Sequence, residues 1–552
     1  MRIGLLTEGG YPYATGESRL WCDRLVRGLG QHEFDVYALS RSAEQEERGW
    51  IALPPQVQLV RTAPLWAPDD DGLTYGRRER RRFAAHFTDL AAAICGDGED
   101  FAQGLYGLAE LALEFGGLCA ALRSEAAIRI LESACRAPGA SRTVQAARIP
   151  DLLGFAGLLE RALRPLSLSD WYDENGLGAV DLCHATSGGS AALPGLLAKR
   201  FFGVPLLVTE YGVQLRAQYL DLAAGQVPAP VRALITSFHR RLAAEVYEQA
   251  AVVTPGNTHA RRWQEKCGAD RAKLRTVYPG MEAGRFAAVG DAEEPGEPDT
   301  LVWVGRIDPS KDLIALLHAF AEVRKEEPEA RLRIVGAPAQ GPEGAAYLSH
   351  CRALAAQLFP DEAADQHAVG SNPVTFEEIG GPETPDLAAA YASGAVVVLS
   401  SVVEGFPISL VEAMFCGRAT VSTDVGAVVE VIGGTGLVVP PRNPRALADA
   451  CVSLLRDPER RGRLGAAARA RALELFTVEQ NLVAFNGIYL DVISRCPVRR
   501  DGAGAQLFAN PAELFVSAPL PAGTHAPPLW AVVPQGGTGG HNTPAAAEGA
   551  DV

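Results

Sequence analysis

The chain has 552 residues, more than one hydrophobic core sustains, so two domains with appendages are expected. Apolar residues make up 47% and charged residues 21%, an ordinary globular balance that demands neither disorder nor a membrane. A formal net charge of −15 excludes a general polyanion binder, since nucleic-acid affinity comes largely from Lys and Arg neutralising phosphates; any anion site must be local.

At the start, Met1-Arg2-Ile3-Gly4-Leu5-Leu6 runs straight into Thr7-Glu8-Gly9-Gly10, too short an apolar stretch for a signal peptide. Gly9-Gly10 is not the Gly-x-Gly-x-x-Gly dinucleotide fingerprint, which leaves hydride transfer little support. Short β-branched runs then alternate with helical patterns, the signature of βαβ units and parallel sheets. The first series of expected strands is Ile3–Thr7, Phe34–Leu39, Val180–His184, Pro205–Thr209, Ala251–Thr254 and Leu274–Tyr278.

Within that series, Asp69-Asp70-Asp71 has the spacing that manganese-dependent sugar transfer uses, but Pro68 and Gly72 bracket it as a solvated turn. The run Arg77-Arg78-Glu79-Arg80-Arg81-Arg82 reads as a solvated helix face. Residues 85–175, rich in Ala, Leu and Arg at helical period, form a helical insertion. Its most apolar part, Phe101 to Leu122, carries Gln103, Glu110 and Glu114 at roughly helical spacing and suits an amphipathic helix better than a membrane span.

After the acidic, Pro/Gly-containing stretch Gly290 to Asp299 a second series begins: Leu301–Gly305, Arg331–Gly336, Val374–Phe376, Ala395–Leu399, Ala419–Thr423 and Gly436–Val439. The expected organisation is therefore an N-terminal domain over 1–290, a second domain over 298–477, a last helix over 478–497 that packs back on the first domain, and a disordered tail over 498–552. The ten cysteines show neither a Cys-x-x-Cys pair nor a Cys/His cluster, which points to reduced, mostly buried thiols in a cytoplasmic protein without structural zinc.

Two strand–loop–helix segments carry the chemistry. In the first, Ser400 to Met414, Glu404 sits in the loop, Gly405 permits close backbone approach, Phe406 follows, and Pro407 suits the first helical turn. The free N–H groups of such a turn bind an anion, and Glu412 lies one to two turns inside the helix, placed to accept hydrogen bonds from a ribose. Taken alone, the segment is also compatible with a solvated helix start bearing incidental acids. In the second, Trp303 to Leu313, Gly305 precedes two cations, Arg306 and Lys311, able to neutralise a leaving diphosphate without a metal. Its plain alternative is an exposed loop with a surface salt bridge.

With these residues in view the sequence resembles the retaining glycosyltransferases of family 4. The resemblance rests on Gly305-Arg306 with Lys311, Glu404-Gly405-Phe406-Pro407, the Glu404-x7-Glu412 spacing, and Ser422-Thr423-Asp424-Val425-Gly426 before Glu430. The first half is most similar to the subgroup that polymerises the Pel exopolysaccharide, through Glu8-Gly9-Gly10-Tyr11-Pro12-Tyr13, Trp21, His184-Ala185-Thr186-Ser187 and Thr209-Glu210-Tyr211-Gly212. The fold this implies is α/β of the GT-B type, two facing Rossmann-like domains with parallel sheets.

By the resemblance, Glu404 contacts the donor sugar and Glu412 the ribose, while Arg306 and Lys311 hold the diphosphate. Gly16 approaches the diphosphate from the other domain, and Tyr211 stands where the family has a histidine near the donor sugar; His184, at the end of another strand, is the substitute polar contact there, although a lone strand-end histidine is more often satisfied within the fold. It further implies a UDP-sugar donor, a saccharide acceptor, no metal or other cofactor, and association with a membrane polysaccharide-export complex, peripheral at the inner face of the membrane. Two departures stand out: the subgroup has Gly-Gly where this chain has Gly16-Glu17, and a histidine where it has Tyr211. They leave open a second reading, a nucleotide-sugar-binding subunit of a polysaccharide assembly that no longer catalyses; a third keeps the fold but changes the reaction, to that of a phosphorylase or epimerase.

Overall fold

The computed structural model describes residues 1–15, 18–67, 71–96, 98–225, 227–291, 296–360 and 372–498. Among the described residues twelve strands form two sheets. The first contains β1 (Arg2–Glu8), β2 (Glu33–Ser40), β3 (Val57–Pro64), β4 (Leu182–Ala185), β5 (Leu206–Glu210) and β6 (Val252–Pro255). The second contains β7 (Glu297–Val304), β8 (Arg331–Val335), β9 (Val374–Glu377), β10 (Gly394–Leu399), β11 (Ala419–Thr423) and β12 (Leu437–Val439).

The orders are β3-β2-β1-β4-β5-β6 and β9-β8-β7-β10-β11-β12, so the two sheets repeat one topology. All their pairings are parallel. In each, the winding reverses at one point, between β1 and β4 and between β7 and β10, and a crevice opens there beyond the carboxyl ends of the strands. Central strands such as β4, β5 and β10 are buried throughout because helices cover both faces.

Two strands differ from the sequence expectations. Leu274–Tyr278 is not a full strand: Leu274 makes one bridge to Val253, and the N–H groups of Arg275 and Val277 donate to the carbonyls of Val253 and Pro255. Pro279 follows and ends the pairing. The sixth strand is instead β3, whose Gln58, Arg61 and Thr62 disguise an edge strand with a largely open face.

The insertion between β3 and β4 begins earlier than the composition suggests, at the helix Arg77–Cys95. Phe101–Leu122 is two helices, Phe101–Phe115 and Leu118–Leu122, because Gly116 and Gly117 both take φ near 68° and break the first. The Gly117 N–H donates to Asp71 Oδ2 at 2.6 Å, which gives Asp71 a structural task; Asp69 and Asp70 lie outside the described residues. Arg82, in the basic run, pairs with Glu114 at 2.6 Å and covers the ring of Phe115.

The helix Val478–Arg495 buries Phe485, Ile488, Tyr489, Val492 and Ile493 in the same apolar cluster as β1 and β2. Chain crossings between the two sheets lie side by side: Met281 N–H donates to Phe476 O at 2.9 Å and Val478 N–H to Met281 O at 3.1 Å. No helix among the described residues is long and apolar enough to cross a membrane. The tail from 499 onward lies outside the described residues.

Candidate functional site

The loops after β7 and β10 flank the reversal point of the second sheet. After β7, Gly305 N–H continues the ladder to Val335 O at 3.1 Å, and Gly336 passes so close that a Cβ there would collide with Gly305 O. Arg306 then turns outward, its side chain 71% exposed, with Nε 3.1 Å from Asp308 Oδ2. Asp308 caps the turn Pro309–Lys311 by accepting from Ser310 N at 2.9 Å. Burial works to raise its pKa, but the bonds from Ser310 and Arg306 outweigh burial and hold the carboxyl below its ordinary value.

This turn delivers Lys311 to the loop after β10. Its ammonium forms an ion pair with Glu404 Oε1, and the same oxygen accepts from Ser401 Oγ at 2.7 Å. The backbones are laced as well: Ser400 Oγ donates to Lys311 O at 2.7 Å and Val402 N–H to Ser310 O at 2.8 Å.

Glu404 and Gly405 rest on Gly426, which has φ 57° and whose Cβ, if it had one, would press on Glu404 O. Ala427 N–H donates to Gly405 O at 3.1 Å. Phe406 packs against the rings of Tyr278 and Phe476. Pro407 sits one residue before the helix Ile408–Phe415, at its cap, rather than inside the first turn. Glu412, one turn inside, accepts from Tyr391 Oη at 2.8 Å. Burial raises its pKa, against the opposing pull of Tyr391 and Arg285.

The structure thus brings Gly305, Arg306, Lys311, Glu404, Gly405, Phe406, Pro407 and Glu412 to one edge of one sheet. The first-sheet candidates fare differently. Gly16 and Glu17 lie outside the described residues. His184 takes the strand-end reading, a histidine satisfied within the fold, and not the substrate contact. It is fully buried, its Nδ1 is 2.7 Å from Tyr489 Oη and its Nε2 2.7 Å from Thr209 Oγ1, so both ring nitrogens are engaged inside the fold. Desolvation pushes its pKa down to about 3. Tyr211 packs edge-on to Trp21, and its hydroxyl accepts from Asn481 Nδ2 at 2.9 Å.

Residues that sequence reasoning missed stitch the halves together. Glu430 Oε2 accepts from Thr258 N–H at 2.7 Å and Oε1 from Tyr278 Oη at 2.9 Å. Asn481 reaches both Tyr211 and Tyr278 O, the latter at 2.6 Å. Glu430 stood within a quoted motif, so a signal for it existed; Asn481 is a polar helix residue with none. Among the described residues no group of His, Cys, Asp and Glu is arranged to hold a metal ion.

The family described as a domain of unknown function (DUF3492) matches residues 1–272, and the family described as Glycosyl transferases group 1 matches residues 298–457. The D-inositol 3-phosphate glycosyltransferase of Kineococcus radiotolerans is 31% identical over 315 residues, 53% of this chain and 67% of that one. The enzyme of the same name from Frankia alni is 30% identical over 318 residues, 53% of this chain and 70% of that one. The chain therefore spans roughly two thirds of the length of these relatives.

Among solved structures, HepE of Anabaena in complex with UDP has a TM-score of 0.52 at 14% identity, covering 89% of this chain and 100% of that one. Sucrose-phosphate synthase of Thermosynechococcus elongatus has a TM-score of 0.53 at 19% identity, covering 90% of this chain and 99% of that one. At such identity the likeness concerns the fold, which is GT-B. Two matching sheets, a cation–carboxylate pair at the reversal point of the second, and relatives of this identity and coverage lead to one conclusion: the chain belongs to the group 1 glycosyltransferases.

Proposed function

We propose that the protein is a retaining, metal-independent glycosyltransferase of family 4, similar to the Pel subgroup. It moves a hexose or N-acetylhexosamine from a UDP-sugar to a saccharide acceptor in extracellular or cell-wall polysaccharide synthesis. The observation that carries the reading is the convergence of Lys311 and Glu404 from two loops at the reversal point of the second sheet. Support for the donor comes from HepE, which shares the fold and was solved with UDP.

In this reading the incoming diphosphate competes with Glu404 for the Lys311 ammonium, and the exposed Arg306 adds a second cation. Glu404, released from Lys311, is free to accept hydrogen bonds from hydroxyls of the donor sugar. Glu412 takes the ribose hydroxyls. As the sugar–phosphate bond breaks, negative charge grows on the leaving UDP, and the two cations stabilise it. The acceptor attacks on the face the UDP leaves, and the departing phosphate takes the acceptor proton.

Purified protein mixed with UDP-, GDP- and ADP-sugars tests this, with NMR reading the anomer of the product and EDTA added in parallel. Transfer from a UDP-sugar with retained configuration, insensitive to EDTA, is expected. Absence of turnover with every donor from a folded sample would overturn it. The non-catalytic reading draws on Tyr211, whose hydroxyl is already engaged by Asn481; UDP binding without turnover would favour it.

A further inference from the structure

A cavity of about 640 Å³ lies at the far end of the second sheet from Lys311 and Glu404, between the amino ends of β10 and β11 and the helix Pro458–Leu475. Three guanidinium groups line it: Arg418, immediately before β11, and Arg461 and Arg469 on that helix. Glycines and alanines such as Gly417, Gly462 and Ala466 make up much of the remaining wall, so the space is not filled by side chains.

The arginines are short of anionic partners. Arg418 and Arg461 are each 8% exposed. Among the described residues Arg418 donates only to the carbonyls of Tyr391 and Ala392, at 3.1 and 3.2 Å, and Arg461 only to those of Leu454 and Leu455, at 3.0 and 3.2 Å. Among the described residues neither meets a carboxylate in an ion pair; Asp299 and Asp457 act on Arg461 from further away. Arg469 alone has one, Asp291, which is itself 72% exposed.

A buried guanidinium held only by carbonyls keeps donors unused and carries a desolvation cost that an anion would offset. Its planar fork matches phosphate oxygens in pairs. A cation would be repelled here, and a neutral ligand would gain little from three positive charges. The cavity is also roomier than inorganic phosphate needs. We propose that it binds the phosphate monoester of a small metabolite, with the phosphate between Arg418, Arg461 and Arg469. The site stands at the amino edge of the sheet, so it is separate from the cleft at the carboxyl edge and does not depend on the donor assigned there.

Calorimetric titration of the full chain with glucose 6-phosphate, inorganic phosphate and glucose tests the proposal. Glucose 6-phosphate should bind and glucose should not. Arg461→Gln and Arg469→Gln should each weaken binding by about tenfold or more, the scale of a lost charge-assisted bond. Arg461→Lys should keep most of it, and Lys311→Ala, at the other edge, should leave it unchanged. Arg469, 18% exposed, keeps the test decisive if Arg461→Gln does not fold. No binding of either phosphate probe, or binding that survives the Arg469 change, overturns the proposal. So does binding that is lost in Lys311→Ala, which would put the anion in the cleft.

Discussion

Lys311 and Glu404, 93 residues apart, meet as an ion pair between the loops after β7 and β10. Each holds the other in place while the cleft has no donor, so either loss disturbs both loops. Removing one transition-state donor of this kind costs about 3–4 kcal/mol, or a factor on the order of 10² to 10³ in turnover. Lys311→Ala and Glu404→Gln are each expected to lower kcat/KM on that scale. The double variant should lose less than the product of the two, because the groups are coupled. Steady-state kinetics with the active nucleotide sugar checks this, and independent, fully multiplicative losses would argue against a shared role.

Gly426 supports the Glu404 loop from beneath. Its φ of 57° costs a residue with a side chain about 1–2 kcal/mol, and a new Cβ would press on Glu404 O. Gly426→Ala should therefore displace Glu404 and Gly405, weakening UDP affinity by several-fold while the far-UV circular dichroism stays unchanged. Titration with UDP alongside the melt decides it; full affinity in a folded variant would detach Gly426 from the site.

Much of this was legible in the residues. The buried strands read clearly because buried parallel strands are short, β-branched and bounded by turn residues, as β10 and β11 are. The segments around Lys311 and Glu404 were legible because glycine, proline and charge sit at fixed offsets from a strand end. What escaped depends on contacts between distant parts of the chain. β3 alternates polar residues and packs at an edge, so it reads as a loop. His184 looks the same in sequence whether it faces a ligand or the helix Val478–Arg495; only folding brings Tyr489 onto its ring. The glycine pair that splits Phe101–Leu122 was visible but overridden by the apolar period around it.

Glu430 fastens the short helix Val428–Ile432 beyond β11 to the start of the helix Thr258–Lys266 and to Tyr278. Hydrogen bonds to a charged acceptor contribute about 1.5–3 kcal/mol when shielded, and partial exposure puts this pair at the lower end. Glu430→Ala should lower the thermal midpoint by a few degrees and raise the KM for the donor more than it lowers kcat, since it loosens the approach of the two sheets without touching Glu404. An unchanged midpoint together with unchanged KM would show that the bridge is incidental.

His184 gives the fold a pH dependence whose sign is fixed by its burial. Its pKa of about 3 in the native state lies below the ordinary 6.5 it regains on unfolding. Between those values the unfolded chain binds a proton that the folded chain refuses, so stability is full above about pH 6.5 and falls as the pH drops towards 3. The slope from this residue approaches about 1.4 kcal/mol per pH unit. Tyr489, His184, Thr209 and Thr254 form one buried chain of hydrogen bonds, at 2.7, 2.7 and 2.6 Å, so protonation would also disturb the seat of the last helix. His184→Gln can keep polar contacts in that chain but cannot titrate. Urea unfolding at pH 7.5 and pH 5 should show the native sequence losing on the order of 2 kcal/mol more than the variant over that interval. Equal losses would mean that His184 titrates alike in both states and that the buried network does not hold it neutral.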